Sequence, residues 1–429
     1  MSGTRTPGTD ITDITAITDI TAITDITATT GSSADPAETV GSAGSAGSAG
    51  SANAVASPSA LRIALLTYST KPRGGVVHTL NLAEALAEAG QDVTVWTLGR
   101  GGDAGFFRPV APAVRSVVVP FPEVADETVG ERVLRSISAL REAFTPGGYD
   151  IVHAQDCISA NAVERCVRTV HHLDHFTTPE LAACHERAIV EPRAHVCVSR
   201  AVAAELAAGW GITATVIPNG VEADRFAEAA ARGDGHWRDR LGRYVLTVGG
   251  IEPRKGSLDL LEAYASLAAG DPGLKLVIAG GETLFDYRDY RVRWAERAAA
   301  LGVEPVVLGP VGHEELPSLV ASAAVFAFPS LKEGFGLAAM EALAAGVPLV
   351  TRDLPVLREV FGSAARFAAD PAGFAGQIGA ALAGDDPARL AAGRLLAARH
   401  TWRSAAERHI ALYKALREPA GPRGGDGPG

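Results

Sequence analysis

A turn in the second half of the chain places two cations beside the expected start of a helix. It spans 249–256 with the sequence GGIEPRKG and runs from a predicted strand into a helix that we expect to begin near Ser257. The amino end of a helix attracts anions through its free N–H groups and its dipole. Arg254 adds a guanidinium fork and Lys255 adds a point charge, a pair suited to a diphosphate. A solvated Arg-Lys pair in a loop explains the same residues, and this alternative stays open.

Two glutamates stand eight positions apart around a second turn, which spans 329–337 with the sequence PSLKEGFGL. We expect Glu333 in the loop and Glu341 in the second turn of a helix that begins near Gly336. An ionised carboxylate accepts two hydrogen bonds at once, which suits the vicinal hydroxyls of a sugar. The glycines of the turn let a ligand approach the backbone closely. A carboxylate at a helix start for Glu333 and a surface position for Glu341 are the structural alternatives.

A histidine-rich segment offers a different chemistry. HHLDH runs from His171 to His175, with His185 and Glu186 nearby. Clustered His and Asp side chains can bind zinc and activate water, so a metal-dependent hydrolase that uses the His171–His175 cluster is an alternative function. The chain has no H-E-x-x-H motif, and a loop at a strand end gives these residues no fixed ligand geometry. We therefore expect no metal site.

Short apolar strands alternate with Ala-rich helices, and these elements must position the groups above. The candidate strands are RIALLT, DVTVWTL, SVVVPF, DIVHA, VRTVHH, HVCVS and ATVIPN, followed by YVLTVGG, KLVIAGG, VVLGPV, VFAFPS and PLVTRD. Near-continuous apolar strands are typical of parallel sheets that are covered on both faces. The alternation indicates an α/β class with two Rossmann-like, doubly wound domains facing a cleft. Ligands of such sheets bind beyond the carboxyl ends of the strands.

The pattern also predicts the domain organisation. Low-complexity repeats predict a disordered tail over 1–59, since they cannot bury enough apolar area to offset the entropy of ordering. We expect a first Rossmann-like domain over 60–220 and a second over 221–400, because Gly and charge interrupt the pattern between Pro218 and Gly242. We expect a helix over 401–418 to pack back on the N-terminal domain and 419–429 to form a flexible tail.

Composition limits the class of protein. The 429 residues carry a net charge of -10, which disfavours bulk binding to nucleic acid or anionic lipid. No stretch reaches the about 18 apolar residues of a membrane-spanning helix. The four cysteines form no C-x-x-C pair, so we expect reduced thiols and a cytoplasmic location. The amphipathic segment 131–144 carries few cations, so we expect it to face the core and any membrane contact to be at most peripheral.

The motifs together resemble a known family. EGFGLAAME, from Glu333 to Glu341, is similar to the E-x7-E signature of retaining glycosyltransferases of the GT-B fold, family 4. The family's other marks stand around it in order: the early loop that we expect to contain Gly74 and Gly75, then TVHH, VIPNGV, PRKG and GVPLVTRD. The resemblance covers Arg62 to Leu416. It is strongest toward an actinobacterial subfamily that carries RIALLTYSTKPRGGVVHTL and EPRKGSLDLLEAY.

The resemblance implies a hexosyltransferase-type enzyme that moves a sugar from a nucleotide-sugar donor to an acceptor hydroxyl. Lys255 would contact the donor diphosphate and stabilise the leaving group. Glu341 would hold ribose hydroxyls, Glu333 sugar hydroxyls, and His171 would hydrogen-bond the sugar near the reacting centre. Many family members have an Arg at the position of Gly250, and Arg254 would supply that charge here. Residues that would make room for the ligand or contact it through the backbone are Gly74, Gly75, Gly250, Phe335, Gly336 and Leu337.

The resemblance also implies how the ligands are divided and how the reaction proceeds. The N-terminal domain would bind the acceptor, which is an unknown sugar, lipid or small molecule, and the C-terminal domain would bind the donor. We expect no metal, because no suitably placed D-x-D motif is apparent, and no cofactor beyond the donor. The acidic net charge leads us to expect no nucleic-acid partner. The expected mechanism is front-face displacement in which the leaving phosphate assists acceptor deprotonation. A nucleotide-sugar epimerase, a sugar phosphorylase and a non-catalytic sugar-nucleotide binding protein on the same fold are the remaining alternatives.

Overall fold

Two parallel sheets, each built from alternating strands and helices, form the framework of the protein. The computed structural model describes residues 60–174, 176, 178–233, 235–281 and 287–417. The predicted tails over 1–59 and 419–429, together with His175, lie outside the described residues. The expectation of a doubly wound α/β fold with two Rossmann-like lobes is confirmed.

The N-terminal lobe contains a seven-stranded sheet in the order β3-β2-β1-β4-β5-β6-β7. Its strands are β1 (Arg62–Leu66), β2 (Asp92–Arg100), β3 (Val114–Phe121), β4 (Ile151–Ala154), β5 (Val167–Val170), β6 (Ala194–Cys197) and β7 (Thr215–Val216). Its helices are α1 (Gly74–Glu88), α2 (Val129–Ala143), α3 (Cys157–Ala162), α4 (Pro179–Val190) and α5 (Arg200–Trp210). Strands β1, β4 and β5 are almost fully buried, because helices cover both faces of the sheet.

The C-terminal lobe contains a six-stranded sheet in the order β10-β9-β8-β11-β12-β13. Its strands are β8 (Tyr244–Val248), β9 (Lys275–Ala279), β10 (Val306–Gly309), β11 (Val325–Phe328), β12 (Leu349–Arg352) and β13 (Arg366–Ala368). The helices of this part of the chain are α6 (Ala223–Arg232), α7 (His236–Leu241), α8 (Ser257–Ala268), α9 (Arg288–Leu301), α10 (Leu316–Ala321), α11 (Leu337–Ala344), α12 (Pro355–Phe361), α13 (Pro371–Leu382) and α14 (Pro387–Arg399). Short 3-10 turns cover Pro146–Gly148, Pro253–Lys255 and Gly362–Ala364.

The last helix, α15 (Trp402–Arg417), packs on α1. Its buried residues Trp402, Ala405 and Tyr413 belong to the hydrophobic core beneath the N-terminal sheet. The hydroxyl of Tyr413 lies 2.6 Å from Nδ1 of His153 at the centre of that sheet. The chain therefore leaves the N-terminal lobe after β7 and returns to it at α15.

The strand order reverses between β1 and β4 in one sheet and between β8 and β11 in the other. Such switch points are where open α/β sheets bind ligands, since the loops on either side diverge and leave a crevice. The turns that carry Lys255 and Glu333 follow β8 and β11, so they flank the switch point of the C-terminal sheet.

Two local features differ from the sequence reading. Gly74 and Gly75 begin α1 rather than lying in a loop, so their N–H groups belong to the first turn of a helix. The three-residue strand β13 has no counterpart among the predicted strands, because Arg366 opens it and its apolar run is too short to be recognised.

The segment 131–144 buries Val133, Ile137 and Leu140 against the lobe, as expected of a core-facing helix.

Candidate active site

Lys255 connects the two turns at the switch point of the C-terminal sheet. A 3-10 turn over Pro253–Lys255 directs its side chain past the backbone of Gly249, where an added Cβ would lie 3.5 Å from Cε of the lysine. Its Nζ reaches Oε2 of Glu333 at 3.0 Å and lies 5.4 Å from the centre of the Phe328 ring. The ammonium therefore sits between the ends of β8 and β11.

Arg254 contacts the same carboxylate oxygen as Lys255. Its NH1 lies 3.6 Å from Oε2 of Glu333, and its NH2 donates to Oε1 of the buried Glu252 at 3.1 Å. NH1 also donates to the backbone carbonyl of Lys332 at 3.3 Å. Two cations therefore share one glutamate, Glu333, and a second glutamate, Glu252, holds Arg254 in place.

Glu333 is ionised because of these two cations. Burial alone would raise the pKa of its carboxyl, but the positive charges of Lys255 and Arg254, with a smaller effect of His172, lower that pKa to about 2. A buried carboxylate in such a setting accepts hydrogen bonds and donates none. Glu333 is therefore a permanent acceptor at the edge of the site.

A small pocket lies between the two turns. Its lining includes Gly249, Gly250, Lys255, Phe328 and Ser330. Oγ of Ser330 is buried and has no hydrogen-bond partner within the described part of the chain. The pocket thus combines a cation and a hydroxyl with glycine backbone, a set that suits a polyanionic group.

Arg352, which the sequence reading did not single out, clamps the turn after β11. It stands at the end of β12, and its Nε donates to the carbonyl of Pro329 at 3.1 Å. Its NH2 pairs with Asp259 in the first turn of α8 at 2.5 Å, and NH1 donates to the carbonyl of Ala369 at 2.7 Å. The sequence offers one indication of this role: Arg352 ends an apolar strand. A charge that is buried there must have fixed partners.

Glu341 lies in α11, where the sequence placed it. Its side chain makes no hydrogen bond or ion pair with any residue in the described ranges and is only partly exposed. Burial, and to a smaller extent the negative charge of Glu222, raise the pKa of Glu341 to about 8. The carboxyl is therefore protonated at neutral pH, so it can donate one hydrogen bond and accept others.

The residues between the two glutamates include the start of a helix and a buried aromatic ring. Gly336 is the N-cap of α11 and Leu337 is its first residue, so their backbone lies at the amino end of the helix. The ring of Phe335 is buried and packs edge-on against His400 at 5.6 Å between ring centres. Only the backbone of Phe335 is left for a ligand.

His171 meets the C-terminal turn across the cleft. It follows β5, and an added Cβ on Gly334 would lie 1.6 Å from its carbonyl oxygen, a distance that no side chain could occupy. Its ring lies near Gly75, whose added Cβ would be 3.9 Å from Nε2. Burial and the nearby Arg168 lower the pKa of His171 to about 3. The histidine is therefore neutral and stands beside Gly334 and Gly75, whereas Gly74 is exposed with no described atom near its Cβ position.

The other members of the histidine cluster take separate partners. His172 contacts Asp174 at 3.2 Å, while Nε2 of His171 has no hydrogen-bond partner among the described residues. Within those residues, no group of three His, Cys, Asp or Glu side chains comes together in a way that could hold a metal ion. His175, the last residue of the predicted cluster, is not among them.

The geometry defines a class: a two-lobed α/β protein whose C-terminal lobe places two cations and a buried carboxylate beside the switch point of its sheet. A family model described as "Glycosyltransferase Family 4" matches residues 72–225, and one described as "Glycosyl transferases group 1" matches residues 239–388. The chain belongs to this family of group 1, family 4 glycosyltransferases. Its activity is therefore glycosyl transfer.

Relatives of known name agree with this assignment. A phosphatidyl-myo-inositol mannosyltransferase of Mycolicibacterium smegmatis is 30% identical over 327 residues, which cover 70% of this chain and 78% of the relative. A D-inositol 3-phosphate glycosyltransferase of Corynebacterium jeikeium is 28% identical over 421 residues, which cover 85% of this chain and 99% of the relative.

Solved structures share the fold. Sucrose-phosphate synthase from Thermosynechococcus elongatus has a TM-score of 0.67 at 21% identity, covering 83% of this chain and 99% of its own. The Anabaena protein HepE, solved in complex with UDP and glucose, has a TM-score of 0.63 at 18% identity and covers 83% of this chain and 100% of its own.

Among the described residues, no helix has the length and apolar character needed to cross a bilayer.

Proposed function

We propose that the protein transfers a sugar from a nucleotide-sugar donor to an acceptor hydroxyl, with retention of anomeric configuration and without a metal ion. The observation that carries the proposal is the contact of Lys255 and Arg254 with one carboxylate, Glu333, beside the pocket at the ends of β8 and β11. Charge that develops on a leaving diphosphate needs fixed positive groups in a site that excludes water, and this cluster supplies them.

Donor binding would use both cations and the start of α8. That helix begins at Ser257, two residues after Lys255, so its free N–H groups face the same region. The binding of UDP and UDP-glucose by the Anabaena relative of the fold supports a nucleotide-sugar as the donor class. A diphosphate would compete with Glu333 for Lys255, so donor binding is expected to lengthen that ion pair.

The two glutamates would contact hydroxyls in different ways. Glu333, with its lowered pKa, only accepts hydrogen bonds, whereas the protonated Glu341 both donates and accepts. Nε2 of His171 is buried and has no hydrogen-bond partner among the described residues, and a sugar hydroxyl of the bound donor would supply that partner. Because two cations hold Glu333, it is a poor nucleophile, which favours a step without a covalent glycosyl-enzyme.

In the proposed step, the bond between the anomeric carbon and the diphosphate oxygen breaks, and its electron pair stays on that oxygen. Lys255 and Arg254 stabilise the charge that forms there. The acceptor oxygen forms its new bond on the same face of the sugar, and its proton moves to the departing phosphate oxygen. The products are the glycosylated acceptor and a nucleoside diphosphate, with no redox change.

The test is a panel of UDP-, GDP- and ADP-sugars incubated with the full chain, with and without acceptors, and with EDTA in a parallel series. We expect donor-dependent release of nucleoside diphosphate, a product of retained anomeric configuration by NMR, and no loss of rate with EDTA. An inverted product or a trapped glycosyl-Glu333 would contradict the mechanism. In a parallel reaction with a glycoside and inorganic phosphate, cleavage of the glycosidic bond to give sugar 1-phosphate and the free alcohol would indicate the phosphorylase. An epimerised donor would indicate the epimerase.

The names of the relatives suggest where the acceptor screen should start. Both the mycobacterial and the corynebacterial relatives are named for acceptors that contain an inositol. We therefore propose acceptors that contain inositol as the first class to test, both as free inositol phosphates and as inositol lipids. Turnover with only non-inositol acceptors would overturn this part of the proposal without affecting the donor assignment.

A further inference from the structure

A second buried histidine, His78, stands beside His171. It lies on α1 and is 1% exposed, and its Nδ1 is 3.0 Å from Oδ1 of Asn219. Because an amide oxygen can only accept, Nδ1 of His78 carries the proton and donates it. Its Nε2 is buried without a hydrogen-bond partner among the residues that the structure describes. Asn219 therefore fixes both the tautomer and the orientation of this ring.

His78 is held between two other rings. Its centre lies 4.8 Å from that of His171, with an angle of 80° between the planes. On another side, the ring of Trp402 lies at 5.3 Å with an angle of 73°. Edge-to-face contacts at these distances are favourable and directional. Rotation of the His171 ring would therefore have to displace His78.

The partners of His78 belong to the two connections between the lobes. Asn219 lies in the segment that leads from β7 to α6, and Trp402 opens α15, which returns to the N-terminal lobe. The connections touch at this point, because an added Cβ on Gly220 would lie only 2.4 Å from the backbone nitrogen of Trp402. The N–H of Val221 also donates to the carbonyl of His400 at 2.8 Å.

We propose that His78 is a positioning residue that holds the ring of His171 toward the cleft and ties its orientation to Asn219 and Trp402. The proposal deepens the proposed function and rests on it, since His171 is the group assigned there to the donor sugar. A relative movement of the lobes passes through the two connections and therefore reaches His171 through His78. The catalytic orientation of His171 thereby depends on the arrangement of the lobes.

The charge state of His78 agrees with this role. Burial lowers the pKa of His78 well below its ordinary value, and the imidazoles of His171 and of His409 on α15 face it and disfavour a second proton further. The hydrogen bond to Asn219 acts weakly in the opposite direction. A neutral His78 leaves the ring of His171 in a constant electrostatic environment across the neutral pH range.

The first test compares His78→Gln with His195→Gln. His195 is a buried histidine of β6 whose Nε2 contacts the carbonyl of Ile189 at 2.7 Å, so its substitution removes a similar amount of buried ring elsewhere in the lobe. We expect His78→Gln to lower kcat by about 10- to 100-fold, because misplacement of a reacting group acts on the chemical step, with the donor KM within about threefold. A kcat within twofold of wild type, or an equal loss in the control, would overturn the proposal.

The second test introduces a charge at the partner. Asn219→Asp places a carboxylate against Nδ1 of His78 and raises the pKa of that histidine, because an opposite charge favours the imidazolium. We expect kcat of this variant to fall as the pH is lowered from 8 to 6, with an inflection that wild type lacks. A pH profile that superimposes on that of wild type would count against the coupling.

The orientation of His171 in the same variants can also be followed by NMR, without measuring turnover. In protein labelled with 15N-histidine and free of donor, the ring signals of His171 should shift in His78→Gln and should follow the new inflection in Asn219→Asp. Signals of His171 that stay constant in both variants would refute the positioning role. If these shifts are seen but no nucleotide-sugar is turned over, the positioning role stands and the proposed function fails.

Discussion

Replacing Glu341 with Gln should make the ligand-free protein more stable, and increasingly so as the pH rises. The folded state raises the pKa of this carboxyl from 4.5 to about 8. Below pH 4.5, both folded and unfolded chains hold the proton, and the shift has no effect. Between pH 4.5 and pH 8, the unfolded chain ionises while the folded chain keeps the proton, so the free energy of unfolding falls with rising pH. Glutamine has no proton to lose and escapes this penalty.

The shift sets the size of the effect. At about 1.36 kcal/mol for each pKa unit, it corresponds to a ceiling of about 5 kcal/mol above pH 8. Glu341 keeps some exposure, so we expect screening to reduce the gain of Glu341→Gln to about 2–3 kcal/mol at pH 8, falling toward zero at pH 5.

The assay is urea unfolding followed by circular dichroism from pH 5 to pH 8.5, with Glu228→Gln as the control. Glu228 is 71% exposed, so its neutralisation should change stability by less than about 0.5 kcal/mol at every pH. A Glu341→Gln difference that is independent of pH, or a variant less stable than wild type at pH 8, would refute the reasoning. Weaker donor binding by the same variant would identify the carboxyl as one kept for function at a cost in stability.

Three further substitutions probe the site and its frame. Lys255→Ala should fold normally but lose about 100-fold or more in kcat/KM, because a charge-stabilising donor is removed; near wild-type rates would contradict its assigned role. Gly334→Ala should lower kcat/KM by about 100-fold, since its Cβ would be forced 1.6 Å from the carbonyl of His171, whereas Gly376→Ala, with open space around its Cβ, should not. Glu359→Gln should lower the free energy of unfolding by about 1 kcal/mol in thermal melts, because the carboxylate accepts two backbone N–H groups at the start of α5, at 2.9 and 2.8 Å; an unchanged melting temperature would argue against this cap.

The framework could be predicted from the sequence because parallel strands are buried on both faces. Runs such as VFAF and YVLTV are apolar almost throughout, and the turns that follow them then lie together at one edge of a sheet. The contact between Lys255 and Glu333 could not be predicted in the same way, since 78 positions separate the two residues. Nor could the role of His78, because a histidine within the apolar face of a helix gives no sign of the rings packed around it.

The two glutamates of the signature illustrate why spacing alone does not determine chemistry. Both are withdrawn from solvent, and burial acts to raise the pKa of each. Glu333 lies in a turn beside Lys255 and Arg254, whose charges overcome that effect, whereas Glu341 lies on a helix where Glu222 adds a like charge. One carboxyl is therefore ionised and the other protonated at neutral pH. An ionised acceptor in the turn and a protonated donor–acceptor on the helix that follows can make different hydrogen bonds to hydroxyl groups. That division follows from where the cations stand.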